Sequence, residues 1–144
     1  MDTVVSCKGS TGALLVLTDR CTRYQLIHKI KSKSAADVVG AVRSLRRSGY
    51  RFSTITVDNG CEFADYNGIR RVSGADVYYC HPYSSWERGS NECANAFIRR
   101  FIPKGTDISK VPKNKIEAVQ GFINEYPRRI HGGKSAEELY RLLI

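Results

Sequence analysis

Three β-prone runs fall within the first thirty residues, separated by turn clusters too short to hold a helix, and no other feature limits the fold as much. Thr3-Val4-Val5 is the first run, Ala13 to Thr18 the second and Tyr24 to Ile30 the third. Lys8-Gly9-Ser10-Thr11-Gly12 and Asp19-Arg20-Cys21-Thr22 are the turns between them. Parallel neighbours need a crossover of about a dozen residues or more, so these runs are expected to pair as an antiparallel meander.

The pattern then changes period. Ser34 followed by Asp37 has the form of a capping box, and Ala35, Val38, Val39, Val42 and Leu45 keep helical spacing until Gly49. Phe52 to Val57 reads as a buried strand ending at Asp58-Asn59-Gly60. A short helix is expected from Glu62 to about Arg71, and Val77-Tyr78-Tyr79 as a further strand. After the loop His81-Pro82-Tyr83-Ser84-Ser85-Trp86, a helix is expected to about Ile102. Another should begin near Pro112 and carry Ile116, Val119, Phe122, Ile123 and Tyr126. The last is capped by Ser135 with Glu138 and is expected to bury Leu139, Leu142 and Leu143. A meander followed by strand–helix alternation predicts an α/β fold, a mixed five-stranded sheet flanked by helices, in one domain spanning residues 1–144. The ribonuclease-H-like fold has this order of elements, although periodicity alone does not separate it from other α/β sandwiches.

Charge narrows the partners. The chain has 23 Lys+Arg against 14 Asp+Glu, a formal net charge of +9, which suits a polyanion. Its 5 cysteines include no CxxC pair, which argues against a zinc knot and for reduced thiols. No apolar run approaches the roughly 18 residues of a membrane helix. Nothing at the N-terminus resembles a signal peptide, so no membrane partner is expected and the location read from the sequence is cytoplasmic.

Three acids could converge. Asp58 ends a strand of the kind whose C-terminal edge places ligands in open α/β sheets, or it is a turn aspartate bonded to nearby amides. Glu92 lies near a helix start. There Ala94, Phe97, Ile98 and Phe101 form the apolar stripe, and Asn91, Glu92, Asn95 and Arg99 lie opposite. It is either a favourable partner of the helix dipole or a ligand. Asp2 counts only if its strand is central. Three carboxylates on separate elements are what two-metal phosphoryl transfer needs, with hard Mg²⁺ or Mn²⁺ on oxygen ligands. Asp19 competes with Asp2 but reads as a turn residue. Glu62 reads as a helix start, Glu87 as a surface acid, and His81, Tyr83 and Trp86 as loop residues. Arg88, Asn91, Asn95, Arg99 and Lys104 are candidate DNA contacts.

Two segments carry a family resemblance. Thr56-Val57-Asp58-Asn59-Gly60-Cys61-Glu62-Phe63 resembles the D-N-G-x-E-F segment of integrase-type transposases. His81 to Glu92 is similar to the stretch leading to their catalytic glutamate, and the 33 residues between Asp58 and Glu92 resemble the spacing of one bacterial insertion-sequence branch. Arg99 to Gly105 and Asn124 to Glu138 are similar to later segments of that branch. The resemblance implies a ribonuclease-H-like D-D-E core for DNA transposition and integration, cutting and joining strands without a covalent protein–DNA intermediate. It implies Asp2, Asp58 and Glu92 as catalytic and metal-binding residues, and two Mg²⁺ or Mn²⁺ ions when DNA is bound. It further implies transposon-end and target DNA as partners, a homo-oligomer in the active complex and a place at the bacterial nucleoid. The family's N-terminal helix-turn-helix region is not expected within these residues. The rival expectation is a non-catalytic nucleic-acid-binding or oligomerisation module of the same fold, favoured if Asp2 is disordered or points away from Asp58.

Overall fold

The computed structural model describes residues 1–81 and 89–143, of which residues 89–91 are described by backbone alone. The opening meander forms as the turn spacing predicts. β1 (Asp2–Val5) runs antiparallel to β2 (Ala13–Thr18), with Asp2 opposite Val16. β2 runs antiparallel to β3 (Gln25–Ile30). Asp19 closes the second turn: its Oδ1 accepts from the amides of Cys21 at 2.8 Å and Thr22 at 2.9 Å. This is the structural turn read from the sequence.

A crossover then builds a parallel pair. β4 (Thr54–Val57) is followed by a single helical turn (Cys61–Phe63), α2 (Tyr66–Ser73) and β5 (Asp76–Tyr79), which lies parallel to β4. The ladders β1-β2-β3 and β4-β5 meet where the Met1 nitrogen donates to the Thr56 carbonyl at 2.8 Å. The expected five strands therefore stand as two ladders with β1 beside β4.

Alternation along β1 and β2 assigns two faces. Leu15, Leu17, Leu26, Ile55 and Val57 pack with α1 (Ala35–Arg47) and with Phe63 and Ile69 around α2. Val4, Leu14, Val16 and Ile27 pack instead under α3 (Gly89–Ile98) and α4 (Lys113–Glu125). The cap of α1 is the predicted one: the Ser34 side chain accepts from the Asp37 amide at 3.2 Å. Asp37 does not return to Ser34 but accepts from the Ser32 amide at 3.0 Å. Gly49, at φ 101°, takes the left-handed conformation that ends the helix.

Some boundaries and burials differ from the sequence reading. The helix expected from Glu62 is interrupted because Asp65 caps a new start, accepting from the Gly68 amide at 3.0 Å. The helix expected to reach Ile102 ends at Ile98, and the chain then turns through Arg99–Ile102. Pro112 is the cap residue before α4 rather than its first helical residue, since its ψ of 151° is extended. α4 buries Ile116, Val119 and Ile123, whereas Phe122 is 49% exposed and Tyr126 46%. These two rings sit beside the buried stripe and meet Phe101 and Phe97, with centroids 5.0 Å and 5.4 Å away.

α5 (Ala136–Leu143) has the full capping box between Ser135 and Glu138. It meets the body through buried Ala136 and through Tyr140, which stacks on Tyr24 at 4.2 Å. Leu139 is only half-buried, and Leu142 and Leu143, expected in the core, lie on the last turn beyond that contact and are exposed. Among the described residues no helix is long and apolar enough to cross a membrane.

Candidate active site

Parity brings the two aspartates to one side of the sheet. Ile55 and Val57 of β4 point to the α1–α2 core, so Asp58, one residue on, continues toward the other face. Asp2 shares its face with Val4, whose neighbours are Ala94 and Ile98 of α3. Met1–Thr56 pairing sets the two strand ends side by side. Asp2 and Asp58 thus stand at neighbouring strand ends.

Helix α3 closes over this face and touches Asp2 directly. Asn95 Nδ2 donates to Asp2 Oδ2 at 2.8 Å, and the Thr3 amide donates to Asp2 Oδ1 at 2.8 Å. Asp2 is 9% exposed, so these bonds hold a carboxylate largely removed from water. Glu92 is exposed in the first turn of α3, three residues before Asn95 and hence on the same side of the helix. Asp58 closes its own turn by accepting from the Gly60 amide at 2.9 Å. This is the turn bond that the sequence allowed for Asp58. The three acids come from β1, the residue after β4 and the first turn of α3. Among the described residues, however, no three His, Cys, Asp or Glu side chains are drawn together closely enough to hold a metal ion.

Two candidate DNA contacts are turned toward the protein instead. Asn95 is committed to Asp2. Arg99 donates to the carbonyl of Val5 at 2.8 Å and to those of Ile102 and Pro103 at 3.4 Å, and burial pushes its basicity down. Its guanidinium pins the chain leaving α3 to the end of β1. Lys104 is exposed, as a phosphate contact must be. Arg88 and the side chain of Asn91 lie outside the described residues, as do Tyr83, Trp86 and Glu87. His81 is an exposed loop residue.

Glu62 lies in a helical turn, Cys61–Phe63, as the helix-start reading expects, but it is 3% exposed. Its Oε1 accepts from Thr3 Oγ1 at 3.0 Å and lies 3.4 Å from Lys33 Nζ. A Cβ on Gly60 would strike Glu62 Oε2 and come within 2.9 Å of Asp58 Oδ1. The glycine is therefore required by close approach rather than by an unusual backbone angle. The signal available in the sequence was an acid two residues after a glycine and next to Phe63, a pattern that a helix-start reading does not use.

No protein-family model matches the chain. It is 42% identical over 130 residues, 90% of its length, to a probable transposase for the insertion-like sequence element IS1161 of Streptococcus salivarius. It is 39% identical over its whole length to the transposase for insertion sequence element IS4351 of Bacteroides fragilis. Over 96% of its length it is 31% identical to the transposase InsI for IS30A of Escherichia coli K12. The chain spans 37%, 44% and 36% of these relatives. Among solved structures it is similar to a simian T-cell lymphotropic virus intasome chain, with a TM-score of 0.77 over 96% of this chain and 51% of that one, at 19% identity. It is also similar to the catalytic core domain of BIV integrase, with a TM-score of 0.74 over 97% of this chain and 90% of that one, at 17% identity. At such identities the likeness is one of fold, and it is the ribonuclease-H-like fold expected from the order of elements.

Proposed function

For a chain whose sequence relatives are insertion-sequence transposases and whose fold is that of integrase catalytic cores, we propose the role of a transposase catalytic core that cleaves and joins DNA strands with Mg²⁺ or Mn²⁺. The observation that supports this reading is the bond from Asn95 of α3 to Asp2 at 2.8 Å, beside the strand end that leads to Asp58. The donor chemistry fits: the candidate ligands are all carboxylate oxygens, the set that hard divalent ions prefer. Asp2, Asp58 and Glu92 would hold the ions, two of them when DNA is bound. Bound metal would supply a more acidic nucleophile and charge stabilisation at the leaving oxygen.

The remaining work falls to this chain's own residues. Asn95 keeps one Asp2 oxygen in place, so that part of the ligand geometry is set before metal arrives. The basic surface, with Lys104 near the end of α3, attracts the DNA backbone without reading its sequence. DNA is the partner, both as element ends and as target. The active complex is a homo-oligomer working at the nucleoid.

The test is a transposase of a curated relative carrying this chain in place of its own matching segment. Mn²⁺-dependent cleavage and joining of element-end DNA should survive the exchange. They should be lost in Asp58→Asn and Glu92→Gln, with DNA binding retained. Full activity in either variant would overturn the assignment.

A further inference from the structure

We infer that Glu62 is a positioning residue of this site, a buried clamp that fixes the strand bearing Asp2 against the turn bearing Asp58. The inference rests on the proposed metal site and deepens it.

Burial excludes a merely solvated role. Glu62 is 3% exposed, and its Oε2 is buried with no hydrogen-bond partner among the described residues. Lys33, which lies near Oε1, is itself half exposed. A buried carboxylate with one oxygen unpaired costs stability, and an apolar side chain of similar volume would fill this space better. Stability alone therefore gives no account of an acid here.

The contacts give one. Glu62 follows the Asp58-Asn59-Gly60 turn, and its carboxylate lies over Gly60, where a Cβ would also press on Asp58 Oδ1. The same carboxylate accepts from Thr3 Oγ1 across 59 residues of sequence. Thr3 neighbours Asp2 on β1, and alternation puts their side chains on opposite faces. Glu62 thus grips β1 from the α1 side, while Asp2 faces α3. It need not contact metal to act. By tying Thr3 to the turn after β4, it sets the separation of Asp2 and Asp58 at a point where β1 and β4 share little ladder, the Met1–Thr56 bond joining them. Lys33, just before α1, adds a third element to the grip.

Thr3→Val is the informative variant, because it keeps shape and β-propensity and removes only the hydroxyl that Glu62 accepts. Mn²⁺ affinity of this chain can be read from the loss of the free-ion paramagnetic resonance signal. Wild type, Thr3→Val, Glu62→Ala, the double variant and Asp58→Asn are compared, alongside amide exchange at Gly60 without metal. Each clamp variant should weaken Mn²⁺ binding about tenfold, the size of effect typical of residues that orient ligands. The double variant should bind no worse than Glu62→Ala alone, because the two residues share one interaction. Gly60 exchange should quicken in both metal-free single variants. Should Glu62→Ala fail to fold, Thr3→Val still decides. Wild-type affinity and exchange in Thr3→Val, with binding lost in Asp58→Asn, would overturn the clamp and leave the metal site standing. Mn²⁺ binding that Asp58→Asn leaves intact would overturn the site and the clamp together.

Discussion

Asn95 Nδ2 stands 2.8 Å from Asp2 Oδ2, a hydrogen bond between β1 and α3 that spans 93 residues of sequence. It places α3, and with it the turn carrying Glu92, over the face that Asp2 and Asp58 share.

If that bond orients Asp2, removing it should cost function more than stability. Asn95→Ala in the exchanged transposase is expected to lower metal-dependent cleavage by about 10- to 100-fold, with half-maximal activity moved to higher Mn²⁺. Asn95→Asp should be at least as harmful, since it sets a second carboxylate against Asp2 in place of a donor. Rates measured across a Mn²⁺ titration check both.

Metal should stabilise the native chain, because an ion bound only by the folded state shifts the unfolding equilibrium. At metal concentrations about 100 times Kd the gain is about 2.7 kcal/mol. For a chain of this size that is a rise in Tm of roughly 5–10 °C. Asp58→Asn should abolish most of it. Thermal unfolding with Mg²⁺, with Mn²⁺ and after chelation gives the comparison, and equal shifts in wild type and variant would count against the site.

Binding to unrelated DNA duplexes should fall steeply with salt, as expected for a chain of net charge +9 that meets phosphates rather than base edges. Lys104→Ala should reduce the slope of log K against log salt by about one and weaken all duplexes alike. Arg99→Ala should act differently, since its guanidinium holds the Val5 carbonyl and its loss frees the chain after α3. Titrations at several ionic strengths separate the two effects.

The edge of the sheet supplies a stability test remote from the site. Asn124 is 1% exposed; its Oδ1 accepts from the Gln25 amide at 2.8 Å and its Nδ2 donates to the Gln25 carbonyl at 2.9 Å. One turn earlier, Gln120 accepts from the Ile27 amide at 2.8 Å. Two side chains of α4 thus satisfy the β3 backbone as a further strand would. Asn124→Ala leaves a buried amide and carbonyl unpaired and should cost about 2–4 kcal/mol in urea unfolding. Gln120→Ala loses one acceptor and should cost less.

Local pattern carried much of this protein. The meander follows from turn clusters lying between β-prone runs, and the starts of α1 and α5 follow from Ser34 and Ser135, because each depends on interactions within a few residues. Even the shared face of Asp2 and Asp58 rests on strict alternation once the strands are placed. What tertiary structure decided lies wherever partners are far apart in sequence. Glu62 looks like any acid at a helix start until Thr3, 59 residues away, meets it in the interior. Arg99 and Asn95 look like surface groups until β1 lies beneath them. Phe122 and Tyr126 match a helical stripe but sit outside it, because the stripe that α4 buries is set by the sheet it lands on. Period and capping are encoded along the chain. Which polar group is desolvated, and by what, is settled only when separate elements are packed together.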